Sequence, residues 1–448
     1  MSRAGFVEQG MRLANVFGYP AANTTSFLRD SQFWSKSELE AYQASVLRNL
    51  IEHCYQNVPY YRQVMQERGL TPEYFRTADD LAKLPYLTRT IVREQADRLR
   101  ATNYPDSECE FRRSGGTTGE PIQVATNVKA RAFEVGAYLR GFEWMHYKLG
   151  QPMVRLFGGS LGLPQTQSPK VMVREWLFNS HFLPAFELTP ENVDDYVDVI
   201  NCARQPVLVG YVSAVRNLAE YVAVKNLRVN GLKSVICTAE YMPDQWREYI
   251  GEVLDAPVFC YYGCGEVNSI AYECSSESGY LVCEEHLVLE VAGNNPTRFV
   301  SEGHGQACVT SLFNYAMPLI RYLNGDMIEL TRATAGRSHK RISKLEGRVV
   351  DQLLSQEGHR VSGALIPHMV FRSGFPAWKY QVLQTEPDEV EFHYLLNGIT
   401  QASREMKEQL ARIFRHHLGS DLKIRFVVGG FEVPASGKHR FVINKISD

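Results

Sequence analysis

The spacing of apolar and polar residues changes along the chain, and near the N-terminus it has the period of an α-helix. Over residues 38–69 the apolar positions recur at helical spacing in ELEAYQASVLRNLIEHCYQNVPYYRQVMQERG, and Pro59 interrupts the pattern. Since the surrounding N-terminal residues share this character, we expect a helical cap over the first hundred residues. The main fold is expected to begin after this cap.

From Pro206 onward, short apolar runs alternate with amphipathic segments. The runs PVLVG, SVICTAE and PVFCYYG have the length of strands, and the segments YVSAVRNLAEYVAVKNL and MPDQWREYIGEVL have the period of helices. This alternation predicts a parallel α/β sheet. Ligands bind such sheets at the carboxyl ends of the strands, which is where Gly210, Glu240 and Gly263 fall.

The pattern changes twice more toward the C-terminus. Between Tyr280 and Leu330 the runs are short and partly alternating, which predicts an antiparallel subdomain. The last segment predicts two strands, a helix over 401–417 and further strands, a small α+β unit. We therefore expect an α/β protein. We expect residues 1–350 to form its large N-terminal domain of parallel α/β sheets with the antiparallel subdomain, and residues 351–448 to form a small α+β domain.

Composition narrows the range of partners. A chain of 448 residues with 44% hydrophobic content can bury a large core. Its net charge of −2 is spread through the sequence, so neither nucleic acid nor a membrane is an expected partner. The absence of a long apolar run and the nine scattered cysteines indicate a cytoplasmic protein with reduced thiols and small-molecule partners. A homodimer is expected only from the general frequency of such assemblies.

A loop rich in glycine and threonine carries the most specific chemistry. Glycines let backbone N–H groups turn inward toward an anion, and hydroxyl groups add neutral donors, so the loop predicts a phosphate cradle. No Gly-Lys-Ser or Gly-Lys-Thr closes it, which excludes the Walker type. A flexible polar turn is the alternative interpretation. The residues of the cradle are Ser114, Gly115, Gly116, Thr117, Thr118 and Gly119.

Together with four later strings, this loop resembles the superfamily of acyl-CoA synthetases, peptide-synthetase adenylation domains and luciferases. The strings are YGCGE at 262–266, RYLNGD at 321–326, GRVVD at 347–351 and PASGK at 434–438. They occur in the order of the superfamily. Further strings are similar to the phenylacetate-CoA ligase branch and its relatives in capsule biosynthesis, namely NVPYYR at 57–62, IAYEC at 270–274 and MPLIRY at 317–322.

The resemblance implies an ATP-dependent, AMP-forming ligase. Such an enzyme activates a carboxylic acid to an acyl-AMP with release of pyrophosphate, then transfers the acyl group to coenzyme A. The branch favours aromatic acids, and Tyr138, Phe142, Trp144 and Phe157 are candidate pocket residues or ordinary core. Two alternatives remain open: an acceptor other than CoA (an amine, a carrier-protein thiol, or an oxyacid and amine pair), and a relative that binds nucleotide without turnover.

The resemblance also implies roles for individual residues. Glu266, Thr117 and Lys438 are the catalytic residues it indicates, with Glu266 as a ligand of Mg²⁺ and Lys438 stabilising negative charge while the adenylate forms. Asp351 matches the hinge position of the family, about which the resemblance implies that the small domain 351–448 moves as a lid. Gly210 and Tyr211 are expected to line the acyl pocket. The remaining nucleotide contacts implied beyond the cradle are Glu240, Tyr262, Gly263, Cys264, Asp326 and Arg348.

Several positions depart from the family pattern. Glu120 stands where many relatives have a lysine, and Cys264 stands where a hydroxyl residue is common. A structural zinc is not expected, because Leu281, Ala333 and Ala335 replace the ligands that would join Cys274, and Cys283, His286 and Cys308 make a weak substitute. Neither a Gly-x-Ser-x-Gly hydrolase elbow nor a Gly-x-Gly-x-x-Gly dinucleotide motif is present.

Overall fold

A computed structural model of the chain describes residues 21–113, 122–158, 175–176, 178–185, 187–293, 295–332, 336–348, 352–363, 365–396, 401–432 and 439–446. Among these residues, every helix is too short or too polar to cross a membrane.

The N-terminal region is helical, as the periodicity predicts. Ser35 begins the longest helix here with a capping box in which its hydroxyl and the Glu38 carboxylate satisfy each other's backbone N–H groups. Val58 is extended because it precedes Pro59, and this ends one helix and starts the next. The helices are α1 (Ala21–Ser31), α2 (Lys36–Asn57), α3 (Pro59–Glu67), α4 (Arg89–Glu94) and α5 (Ala96–Leu99), with 3-10 turns at Pro72–Tyr74 and Ala78–Lys83.

A central sheet contains eleven of the strands in the described part of the chain. One half is parallel, in the order β7-β6-β5-β3-β4, and its strands are buried apolar runs of the kind the sequence predicts. Its strands are β3 (Met153–Phe157), β4 (Ser180–Pro184), β5 (Val207–Tyr211), β6 (Ser234–Thr238) and β7 (Val258–Tyr262). The helices α6 (Val128–Trp144), α7 (Val193–Cys202), α8 (Val212–Val224) and α9 (Asp244–Leu254) accompany it, and β1 (Cys109–Arg113) and β2 (Gln123–Asn127) form a separate hairpin.

The antiparallel half continues the same sheet in the order β10-β11-β12-β13-β9-β8. Pairing of Tyr261 with Tyr272 joins it to the parallel half, so the expected antiparallel subdomain shares one sheet with the parallel strands. Its strands are β8 (Ala271–Cys274), β9 (Glu277–Val282), β10 (Leu287–Ala292), β11 (Gly303–Ser311), β12 (Tyr322–Arg332) and β13 (Lys340–Arg348). The expected fold class is confirmed.

The C-terminal strands build a second, four-stranded sheet in the order β18-β17-β16-β19. Helix α11 packs on it through Phe414, which lies edge-on to Phe392. Its strands are β16 (Ala377–Glu386), β17 (Glu389–Leu396), β18 (Lys423–Val428) and β19 (Val442–Asn444). The hairpin β14 (Gln352–Leu354) and β15 (Arg360–Ser362) and the helices α10 (Leu365–Arg372) and α11 (Arg404–Leu418) complete this part.

Candidate active site

Tyr262, at the end of β7, meets Asp326, which lies within β12. Tyr262 ends β7, and its hydroxyl donates to Asp326 Oδ2 at 2.8 Å. Asn324 closes the group by donating to the Tyr262 hydroxyl at 2.6 Å and accepting from the Asp326 backbone N–H at 3.1 Å. Burial, followed by the nearby Asp326 charge, raises the pKa of Tyr262 well above its usual value, so the phenol stays a neutral donor. The Asp326 carboxylate is therefore held in one orientation.

Glu266 lies in the loop after β7 and is 7% exposed. Arg89 donates to its Oε1 atom at 2.9 Å, and the Tyr322 hydroxyl donates to the same atom at 3.2 Å. Arg89 begins α4 and Tyr322 begins β12, so three distant segments meet at this carboxylate. The result is a buried anion with a cation beside it, next to the Asp326 group.

The turn between these two groups has little space. The Cys264 backbone N–H donates to the Val267 carbonyl at 3.0 Å, which closes the turn that presents Glu266. A Cβ atom on Gly263 would lie 3.1 Å from the Ser269 nitrogen, so glycine is the residue that fits. Burial, and then the Glu266 charge, raises the pKa of the Cys264 thiol, which keeps it protonated.

Gly210 and Tyr211 end strand β5, which is separated from β7 by β6. A Cβ atom on Gly210 would lie 2.8 Å from the Leu156 carbonyl oxygen, so a side chain cannot be accommodated there. Tyr211 is buried and its ring lies edge-on to Phe157 with centroids 5.0 Å apart. Phe142 and Trp144, two of the four aromatic pocket candidates, are buried on α6 among core residues.

Glu240 contacts both helix α8 and the segment that precedes β19. Its carboxylate accepts from the Ser213 backbone N–H at 2.6 Å and from the Ser213 hydroxyl at 3.0 Å. The His439 backbone N–H donates to Oε1 at 2.6 Å. The predicted nucleotide contact of Glu240 stays a prediction.

Other predicted site residues lie outside the described residues. These are the cradle residues Ser114 to Gly119 with Thr117 among them, Glu120, the hinge residue Asp351 and the lysine Lys438. Of Arg348 the backbone is described. It is the cross-strand partner of Asp326 in the pairing of β12 with β13, which places the two residues at the same register of the sheet.

The cysteine and histidine candidates for zinc make contacts with protein groups. His286 donates to the Ser269 carbonyl, Cys308 contacts Glu290, and the Cys274 sulfur lies 3.6 Å from Arg337. In the part of the chain that the structure describes, these side chains and their acidic neighbours do not form a group suited to a metal ion.

Sequence reasoning did not single out Arg89 or Tyr322 as contacts of Glu266. Arg89 lies 177 residues from Glu266 along the chain, and helical periodicity does not reveal such a contact. Its position directly after Thr88, the N-cap of α4, was the available signal, because residues at a helix start can face a ligand.

Known proteins are similar in sequence to this chain over most of its length. No family model matches it. The phenylacetate-coenzyme A ligase of Thermus thermophilus is 26% identical, with 91% of this chain and 97% of that protein covered. The protein CapK of Staphylococcus aureus is 23% identical over 87% of this chain and 86% of its own length.

Solved structures give the same fold. A 2-hydroxyisobutyryl-CoA ligase in a postadenylation state, bound to an acyl-AMP, is 18% identical and covers 93% of both chains with a TM-score of 0.73. An anthranilate CoA ligase bound to anthranoyl-AMP has a TM-score of 0.52 over 88% of this chain and 78% of its own. Over nearly its whole length the chain is similar in sequence to phenylacetate-coenzyme A ligases and to CapK, and it shares the fold of these solved CoA ligases.

Proposed function

We propose that this chain activates a carboxylic acid with ATP and transfers the acyl group to coenzyme A. In the first step a carboxylate oxygen attacks the α-phosphorus of ATP, the bond from that phosphorus to the bridging oxygen breaks, and pyrophosphate leaves. In the second step the CoA sulfur, having lost its proton, attacks the acyl carbonyl and AMP leaves with the electron pair of the acyl–oxygen bond.

The observation that carries this proposal is the convergence of two buried carboxylates, Asp326 in β12 and Glu266 in the loop after β7. Asp326 is fixed by Tyr262, and Glu266 is held by Arg89 and Tyr322. A fixed carboxylate suits the two hydroxyl donors of a ribose, and a carboxylate beside a guanidinium suits a metal-bound polyphosphate. The similarity to phenylacetate-CoA ligases over nearly the whole chain supports the same assignment.

Glu266 fits a magnesium ligand. Its described hydrogen bonds both fall on Oε1, and a carboxylate oxygen is a ligand type that Mg²⁺ prefers alongside phosphate oxygens. When bound, the ion would neutralise phosphate charge. Arg89 is proposed to neutralise phosphate charge as well, because the guanidinium that holds Glu266 lies beside the position proposed for the polyphosphate.

We further propose two domains, residues 1–350 and 351–448, with Asp351 as the hinge and Lys438 as the lysine of the adenylation step. The four-stranded sheet supports this division, because all of its strands follow residue 376. Thr117 and the rest of the cradle are proposed to hold the β and γ phosphates. The acid is proposed to be aromatic, on the strength of the branch and of the Tyr211 and Phe157 rings at the end of β5 and β3.

Acid-dependent exchange of labelled pyrophosphate into ATP tests the first step. We expect exchange with at least one acid from a panel of arylacetic, benzoic, hydroxy and aliphatic acids, and a CoA thioester by mass spectrometry when CoA is added. Exchange without a CoA adduct would move the acceptor to an amine or a carrier-protein thiol. The absence of exchange across the whole panel would favour a nucleotide-binding relative without turnover.

A Lys438→Ala variant separates the two steps. We expect adenylation to fall by about a hundredfold or more, because a charge needed in the transition state is lost, while transfer from a supplied acyl-AMP to CoA stays near the wild-type rate. Equal loss in both steps would contradict the role proposed for this lysine.

A further inference from the structure

Glu240 sits in a loop whose backbone is unusual. It follows β6, and the preceding residue, Ala239, has a φ of +72°, a left-handed conformation that non-glycine residues seldom adopt. Such a conformation persists where surrounding contacts determine it strongly. The contacts here come from Ser213, whose backbone N–H and hydroxyl both donate to the Glu240 carboxylate.

These two bonds tie Glu240 to the start of helix α8. The N-cap residue of α8, Tyr211, makes no side-chain capping bond, and Glu240 supplies an acceptor from a different loop. A carboxylate is favourable there because the first turn of a helix carries unpaired N–H groups and a positive end of the helix dipole. The Glu240 side chain is thereby a fixed point on the large sheet.

The third bond of this carboxylate reaches the C-terminal part of the chain. The His439 backbone N–H donates to Glu240 Oε1 at 2.6 Å across 199 residues of sequence. A hydrogen bond to an ionised acceptor is stronger than one between neutral groups. The nitrogen of His439 is also half of the peptide bond that joins it to Lys438, so this bond acts on the residue next to the proposed catalytic lysine.

Aromatic packing surrounds the contact. Trp246 of α9 lies 5.2 Å from Phe441 and 6.3 Å from Tyr380, measured between ring centroids. The His439 ring lies edge-on to Phe441 at 4.9 Å and donates through Nε2 to the Tyr380 carbonyl at 2.9 Å. The four-stranded sheet thus docks against α9 at the point where Glu240 meets His439.

We propose that Glu240 is a positioning residue for adenylation. Its carboxylate anchors the backbone of His439 while the C-terminal sheet is docked, and this anchor acts one residue along the chain from Lys438, the lysine proposed for adenylation. The proposal rests on the proposed adenylate-forming function and assigns Glu240 a task other than contact with the nucleotide. Because the bond joins two sheets, it contributes to the adenylation step and is dispensable once the C-terminal sheet leaves for acyl transfer.

Three variants test the anchor. Glu240→Ala removes the acceptor, Glu240→Gln keeps an amide oxygen that can accept from His439, and Glu248→Ala is a matched control at an exposed position of α9. For Glu240→Ala we expect the kcat of pyrophosphate exchange to fall about tenfold or more, with the KM for ATP and the transfer from supplied acyl-AMP to CoA changed by less than about threefold. Glu240→Gln should recover part of the loss.

Hydrogen exchange measured by mass spectrometry supplies a readout that does not depend on turnover. Amides in the peptide containing 439–446 should exchange faster in Glu240→Ala than in the wild-type protein or in Glu248→Ala. Unchanged exchange in Glu240→Ala would overturn the anchor, whatever the activity. So would a higher KM for ATP with kcat intact, or equal loss in both half-reactions.

The two failures are distinguishable. One outcome is that no acid in the panel supports pyrophosphate exchange by the wild-type protein, yet Glu240→Ala speeds amide exchange in 439–446. The proposed function then fails and the docking contact stands. If the wild-type protein is active and the amide exchange of that peptide ignores Glu240, the anchor fails and the proposed function stands.

Discussion

Tyr262 can act beside a nucleotide in two ways, through stacking of its ring or through a hydrogen bond from its hydroxyl. The resemblance implies that its ring stacks on adenine, whereas the structure shows its hydroxyl donating to Asp326. A Tyr262→Phe substitution deletes the hydroxyl and keeps the ring. Any effect of this substitution on nucleotide binding therefore reports on the orientation of Asp326 rather than on stacking.

The expected size follows from the contact. A hydrogen bond to a charged group contributes about 1.5–3 kcal/mol, and Asp326 is buried, with 8% exposure. Part of this loss will appear as lower stability, because Asn324 loses its acceptor as well. If about half reaches the nucleotide complex, the KM for ATP rises roughly three- to tenfold, since each 1.4 kcal/mol corresponds to a factor of ten.

A ribose-modified nucleotide makes the assay specific. If Asp326 accepts from the ribose, wild-type protein should bind ATP more tightly than 2′-deoxy-ATP, and Tyr262→Phe should reduce that preference. Tyr196→Phe is the control, because its hydroxyl makes a bond of equal length, 2.8 Å, to the Pro184 carbonyl on the edge strand β4, four strands away from β7. It should leave the KM for ATP unchanged.

The reasoning would be refuted by one pattern in particular. If Tyr262→Phe weakens ATP and 2′-deoxy-ATP by the same factor, the hydroxyl does not act through a carboxylate that reads the ribose. Comparison of Tyr262→Leu, which removes both hydroxyl and ring, with Tyr262→Phe then measures the contribution of the ring.

Three further predictions address charge at other points. Arg89→Ala should raise the KM for MgATP about tenfold or more, because Glu266 loses its cation and the polyphosphate a counter-charge, and pyrophosphate exchange measures this. Arg140→Met should cost about 3–5 kcal/mol in the free energy of unfolding by urea, because it leaves the fully buried Glu285 carboxylate without its guanidinium partner. Burial and nearby Lys379 lower the pKa of His439 from 6.5 to about 4, so the folded C-terminal sheet prefers the neutral ring. This contribution to its stability is complete above pH 6.5 and falls by up to about 3 kcal/mol as pH drops toward 4, which amide exchange of 439–446 against pH would show.

Each of these has a control. Arg89→Lys keeps a positive charge and should recover part of the ATP affinity, and a normal KM in Arg89→Ala would contradict the role of that residue. Arg29→Met breaks a half-exposed ion pair with Glu143 and should cost about 1 kcal/mol or less. His439→Gln should flatten the pH dependence between 6.5 and 4, and an unaltered slope would assign it to other groups.

Local pattern predicts the elements of this fold well and their long-range partners poorly. The five residues of β5 are all buried, and the continuous apolar run PVLVG predicts a buried strand. The pairing of Tyr261 with Tyr272, which merges two expected units into one sheet, depends on a turn whose course is set by tertiary contacts of Glu266 and Ser269. Strand periodicity carries no information about that pairing.

The same limit applies to the site. Motif strings locate Glu266 and Asp326, because the chemistry of each is tied to its neighbours in sequence. Arg89 contacts Glu266 and His439 contacts Glu240 across 177 and 199 residues of sequence, and the residues beside them, including the N-cap Thr88, do not identify these partners. Docking of separate elements decides such contacts, and it depends on the whole core rather than on a window of sequence.

The N-terminal helices are structurally part of the site rather than a cover over it. The Leu87 backbone donates to the Arg321 carbonyl and accepts from Leu323, each at 2.9 Å, so the segment before α4 is hydrogen-bonded to the start of β12. Arg321, fully buried at a φ of +54°, pairs with Glu290 at 2.8 Å and donates to the Leu84 carbonyl at 2.8 Å. The segment that places Arg89 beside Glu266 therefore also supplies a backbone acceptor to the buried Arg321 guanidinium. If this segment were removed, the Arg321 charge would lose that acceptor. Because an under-satisfied buried charge is costly, the helical region and the antiparallel half of the sheet should unfold together rather than as separate units.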